Sequence, residues 1–113
     1  METDVTRAAQ PPRIVVFDLC PLFREALAGA LVQAGAFSVT ATEPKAVTHA
    51  IVEDGVNCAL IDLDAGTAAL ELLERIKNYH LQCRCAMMTT DGSQPELMAA
   101  IRMQADGFVT KRL

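Results

Sequence analysis

Apolar residues in this chain come in short solid runs, separated by stretches with a three-to-four-residue rhythm. The runs Ile14-Val15-Val16-Phe17 and Val56-Asn57-Cys58-Ala59-Leu60-Ile61 barely alternate, and each stops at a carboxylate, Asp18 or Asp62. Runs of this kind predict strands of a parallel sheet covered on both faces. Cys85 to Thr89 and Gly107 to Lys111 predict two more strands. Phe37 to Thr42 alternates apolar with hydroxyl residues, which suits a half-exposed outer strand.

Helical signals fill the intervals. Pro21 stands where a first turn begins, and Leu22, Phe23, Ala26, Leu27, Ala30 and Leu31 give a wide apolar face up to Gly35, a natural C′ residue. Pro44 opens a second helix, with Val47, Ala50 and Ile51 facing inward, closed by Gly55. After the loop Ala65-Gly66-Thr67, the residues Ala69, Leu72, Leu73 and Ile76 stand at i, i+3, i+4 and i+7. Ser93 and Glu96 have capping-box spacing and predict a short helix through Leu97, Met98 and Ile101. Strand and helix alternate throughout, so an α/β fold of right-handed βα units around a parallel sheet is expected. Residues 1–12 are polar, end in Pro11-Pro12 and read as a flexible arm before a domain spanning 13–113.

Composition narrows the function classes. A chain of 113 residues, 51% apolar and 21% charged, is one globular domain with a modest core. Its net charge of −4 offers no electrostatic reason for direct contact with nucleic acid. No apolar run approaches the ~20 residues that span a bilayer, and the first residues lack the apolar centre of a signal peptide. A cytoplasmic protein without membrane contact is therefore expected. Cys20, Cys58, Cys83 and Cys85 form no C-x-x-C pair, and His49 and His80 lack finger-like spacing from them, which favours buried, reduced thiols over disulfides or zinc.

If the predicted strands run parallel, their carboxyl ends deliver Asp18, Asp62, Thr89 and Lys111 to one crevice, where ligands of open α/β sheets bind. Two carboxylates can hold a divalent cation or act as a nucleophile, while a hydroxyl and an ammonium can receive an anion. Each has a plainer role when taken alone: Asp18 as a turn former, Thr89 as a strand residue, Lys111 as a solvated lysine. Their joint arrival at four strand ends favours a site.

The segment F-D-L-C-P-L-F-R-E-A-L, residues 17–27, resembles the V-D-D-H-P-L-F-R-E-G-L of response-regulator receiver domains of the NarL/FixJ type, which precede LuxR-like DNA-binding domains. A-L-I-D-L, A-M-M-T-T and A-D-G-F-V-T-K-R-L follow in the family's order and spacing. The resemblance runs from about Arg13 to Leu113. It implies a flavodoxin-like, doubly wound sheet of five parallel strands in the order 2-1-3-4-5, here without the family's last helix. It implies a signalling module rather than an enzyme. By position, Asp62 matches the aspartate phosphorylated by a sensor histidine kinase. Thr89 and Lys111 match the residues that meet the phosphoryl group, Phe108 the aromatic switch residue, and Asp18 the first member of an acidic pair that, with Asp62, binds Mg²⁺.

The departures from that pattern change the expectation. Leu19 replaces the second acidic residue and has no oxygen for a hard cation, so Mg²⁺ binding is expected to be weak. Asp64, through backbone or side chain, and Asp91 stand near enough in sequence to substitute. The family's M-P-G-M-D-G loop is replaced by A-G-T-A-A. Without a last helix, an uncovered apolar patch favours self-association, and DNA is reached only through an output domain absent from this chain. Two functions follow: a receiver phosphorylated at Asp62, or a phosphorylation-independent dimerisation or partner-binding platform. A third, more remote reading takes D-L-D as the first motif of haloacid-dehalogenase-type phosphatases, with Asp62 as nucleophile and Asp64 as general acid, but the acidic pair expected after the lysine is missing.

Overall fold

The computed structural model describes residues 10–90 and 95–111. Five strands, β1 (Arg13–Phe17), β2 (Phe37–Ala41), β3 (Cys58–Asp62), β4 (Arg84–Thr89) and β5 (Gly107–Thr110), alternate with four helices among the described residues. These are α1 (Pro21–Gln33), α2 (Pro44–Glu53), α3 (Thr67–Tyr79) and α4 (Pro95–Arg102). The strands form one parallel sheet in the order β2-β1-β3-β4-β5. This is the expected doubly wound, flavodoxin-like topology. Most of the expected arm, as well as Ser93 of the capping box and Asp91, lies outside the described residues.

Alternate strand residues point to opposite faces. Val15, Phe17, Ala59, Ile61, Cys85 and Met87 line one face and pack with Val47 and Ala50 of α2, Ala69, Leu72, Leu73 and Ile76 of α3, and Ala100 of α4. Each fully buried aliphatic or aromatic side chain there contributes about 1.5–3 kcal/mol relative to exposure. The four α3 residues at helical spacing are all buried. In α4 the buried residue is Ala100, while Met98 and Ile101 of the expected apolar set are about half exposed.

The opposite face carries only α1 among the described helices, packed on β1 and β2. None of its residues is fully buried, and Leu22 is 82% exposed, so the wide apolar face expected there meets too little surface to disappear. Cys58, Leu60 and Ala86 of β3 and β4 remain partly exposed on that side.

Helix ends follow the sequence signals. Gly35 takes φ 99° after α1, where Ala36 N–H donates to Leu31 O at 2.9 Å and Gly35 N–H to Val32 O at 3.0 Å, a Schellman closure. The same closure ends α4, from Ala105 N–H to Ala100 O and Gln104 N–H to Ile101 O, but there Gln104 holds the left-handed position at φ 63°.

Candidate functional site

The carboxyl ends of the strands set the site. Asp18 follows β1 directly, Asp62 and Thr89 close β3 and β4, and Lys111 follows β5. The parallel register places Asp62 beside Met88 and Thr89 beside Thr110. Lys111 N–H donates to Thr89 O at 2.8 Å, which fixes the lysine backbone at this edge. All four residues expected at the crevice therefore stand on neighbouring chain segments at one end of the sheet.

Lys111 organises the charges. Its Nζ lies 2.9 Å from Asp18 Oδ2, 3.3 Å from Asp62 Oδ1 and 3.9 Å from Asp64 Oδ2. Asp18 is fully buried and Asp62 is 3% exposed. Such burial is tolerable only because the ammonium offsets the two carboxylates. The Asp18–Lys111 contact is an ion pair, while the other Asp18 oxygen, Oδ1, accepts the Cys20 N–H at 2.8 Å. Asp18 thus does both things the sequence allowed, shaping the turn into α1 and serving the pocket. Asp62 Oδ1 likewise accepts the Asp64 N–H at 3.0 Å and starts a 3₁₀ turn, Leu63–Ala65. Gly66, at φ 67°, carries the chain from that turn into α3.

Protonation follows from these contacts. Burial pushes the Asp62 carboxyl above its ordinary value, with Asp18 and Asp64 adding repulsion, against the opposing Asp64 N–H and Lys111. Burial works against the charged Lys111, but Asp18 and Asp62 outweigh it and hold the ammonium above its ordinary value.

Leu19 is 55% exposed at the rim, with no oxygen to offer the pocket. Asp64 approaches Lys111 and receives the Thr90 hydroxyl at 3.4 Å. Phe108 is 41% exposed on β5. Among the described residues, no three carboxylate, imidazole or thiol groups converge as a cation cage. Cys83 and Cys85 are buried, and burial pushes their thiols up to about 11 and about 12. All four cysteines are free, though Cys20 is exposed rather than buried as expected.

Two contacts at the site were not anticipated from sequence. Arg24 Nη1 donates to Asp18 O at 3.0 Å, and the Phe23 ring lies under Lys111 Nζ, 4.5 Å from its centroid. Both residues belong to the P-L-F-R-E segment, whose motif was legible while its target was not. A groove of about 560 Å³ lies at the opposite end of the sheet, with Val52, Tyr79 and Leu81 in its walls and no carboxylate.

No helix among the described residues is long and apolar enough to cross a membrane. A search of curated proteins found no match. Among solved structures, a CheY-like receiver domain protein from Methanospirillum hungatei is similar at 20% identity and TM-score 0.80, over 92% of this chain and 84% of that one. The signal receiver domain of a NarL response regulator from Mycobacterium tuberculosis is 26% identical, with TM-score 0.79, over 92% and 86%. A Burkholderia pseudomallei response regulator with a phosphorylated aspartic acid, calcium ion and citrate is 22% identical, with TM-score 0.76, over 90% and 61%. The response regulator receiver domain model matches residues 14–113, which places the chain outside the dehalogenase-type phosphatases. With its sheet order, its strand-end residues and a family match over nearly its whole length, this chain belongs to the response regulator receiver domains of two-component signalling.

Proposed function

We propose that this receiver domain is the cytoplasmic input module of a transcriptional response regulator of the NarL/LuxR type, with Asp62 as its phosphoacceptor. The observation that carries the reading is the buried Lys111 ammonium between Asp18 and Asp62, because a cation held beside a nucleophilic carboxylate is what an incoming phosphoryl group needs. An Asp62 oxygen bonds to phosphorus, the bond from phosphorus to a histidine nitrogen of a sensor kinase breaks, and its electron pair stays on the imidazole. Thr89 offers a hydroxyl to the phosphoryl oxygens. Phe108, half exposed on β5, changes rotamer with the state of the site. The Burkholderia regulator with its phosphorylated aspartic acid is the structural precedent. DNA contact falls to an output domain rather than to this acidic one.

The oxygen set fits Mg²⁺ poorly. Asp18 Oδ2 is paired with Lys111, Asp62 Oδ1 already accepts the Asp64 N–H, and Leu19 contributes nothing. A divalent cation would have to displace the ammonium, so its binding is weak and no step is routed through it.

The same observations favour a second reading, a partner-binding or dimerising platform that works without phosphate. Asp62 is almost inaccessible, and the pocket carries its own counter-ion. Leu22 and Val32 of α1 and Val109 of β5 leave apolar surface open for self-association, which light scattering over a concentration series measures. Incubation with acetyl phosphate, with and without Mg²⁺, followed by intact mass separates the readings. A phosphoryl adduct lost in Asp62→Asn supports the first, and no adduct under any condition supports the second.

A further inference from the structure

The P-L-F-R-E segment is the most family-like stretch of the sequence, yet neither reading above gives Phe23 a task. Phe23 sits in the first turn of α1 with its ring 4.5 Å from Lys111 Nζ. The same ammonium meets Asp18 at 2.9 Å and Asp62 at 3.3 Å. Lys111 thus has two carboxylates and an aromatic face as its neighbours, and its side chain is only 9% exposed. An ammonium over the negative face of a ring is attracted electrostatically, more strongly where water is excluded.

The turn that carries Phe23 is itself fastened to the acidic edge. Arg24 Nη1 donates to the Asp18 carbonyl at 3.0 Å, the Cys20 N–H donates to Asp18 Oδ1 at 2.8 Å, and the Arg24 N–H donates to Cys20 O at 2.9 Å. Asp18 and Phe23 therefore approach Lys111 from one hydrogen-bonded unit. A flexible four-carbon lysine stem has many rotamers. With Leu19 supplying no charge, this unit confines the ammonium.

We infer that Phe23 is a positioning residue, its ring face holding the Lys111 ammonium in the acidic pocket against Asp18 and Asp62. The inference concerns the lysine alone and stands whether or not Asp62 accepts phosphate. It differs from a packing role in one respect: the electron density of the ring matters, and not only its volume.

The experiment uses the whole chain with mono-, di- and trifluorophenylalanine at position 23. Fluorination withdraws charge from the ring face and nearly preserves its shape. The readout is acylation of Lys111 by acetic anhydride at fixed pH, measured by peptide mass and normalised to the exposed Lys45. Lys111 reactivity should climb stepwise with fluorine count, by about fivefold over the series. Phe23→Leu should reach or exceed the top of that range, and Phe23→Tyr and Phe23→Trp should return to the wild-type level. A flat response across the fluorinated series overturns the inference and leaves Phe23 as packing. If Phe23→Leu fails to fold, the fluorinated proteins decide alone. Acetyl phosphate labelling of the same proteins tests Asp62 separately, so a failure of phosphorylation leaves the lysine result intact.

Discussion

Lys111, one residue past β5, pairs at 2.9 Å with Asp18, one residue past β1. Removing the ammonium in Lys111→Met strands a fully buried carboxylate and leaves Asp62 without its cation. Breaking one side of a buried pair costs about 3–5 kcal/mol, and urea unfolding at pH 7 should show a loss of about 3 kcal/mol. The Lys111 pKa is raised from 10.5 in the fold. Its contribution is therefore fully present below 10.5 and lost as pH rises through the folded value. Lys111→Met should lack that alkaline decline.

Asp62 titrates with the opposite consequence for neutral pH. Burial raises its pKa from 3.8 in the fold, so the protonated form favours the native state, and that advantage disappears as pH rises through the folded value. Asp62→Asn should be more stable than wild type at pH 7, with the difference closing as pH falls to 3.8 and below. Thermal midpoints across pH 3 to 8 measure it. Equal midpoints at pH 7 would contradict the assignment.

Leu19→Asp restores an oxygen donor at an exposed rim position, where the change costs little stability. Mg²⁺ affinity by calorimetric titration should tighten by about tenfold or more. An unchanged isotherm would mean that Lys111 rather than Leu19 limits the cation.

Gln104 holds φ 63° at the end of α4, where Gly35 serves α1. Gln104→Gly should stabilise the domain by about 0.5–1 kcal/mol in urea unfolding. The reverse exchange, Gly35→Gln, should destabilise it by a similar amount.

Asp106 works at the far end of the sheet. Its carboxylate accepts the Cys85 N–H at 2.8 Å and meets Lys77 at 3.1 Å, while its own N–H donates to Cys85 O. Burial opposes its charge, but the Cys85 N–H and Lys77 outweigh it and lower its pKa from 3.8. The contribution is present above 3.8 and fades as pH falls through the folded value. Asp106→Asn should cost about 1 kcal/mol at pH 7, allowing for solvent screening, and less at pH 3.

The topology was legible because local signals agreed with one another. Ala69, Leu72, Leu73 and Ile76 announced the buried stripe of α3, and carboxylates ending apolar runs marked one edge of the sheet. What remained hidden depends on neighbours distant in the chain. The exposure of α1 follows from what else covers its sheet face, which its own spacing cannot report. The exposure of Met98 and Ile101 has the same origin. Phe23 and Arg24 were conspicuous as a motif, but their targets, an ammonium at position 111 and a carbonyl at position 18, emerge only when β5 docks beside β4 and brings Lys111 to the pocket.

That docking bears on how the pocket comes into being. Its anion follows the first strand and its cation the last, so closing this contact encloses the other strands and the helices in a single loop, and the entropy of that closure must be met before the contact contributes. Without β5 beside β4 the two carboxylates lack their ammonium. Completion of the sheet and neutralisation of its acidic edge are therefore a single event.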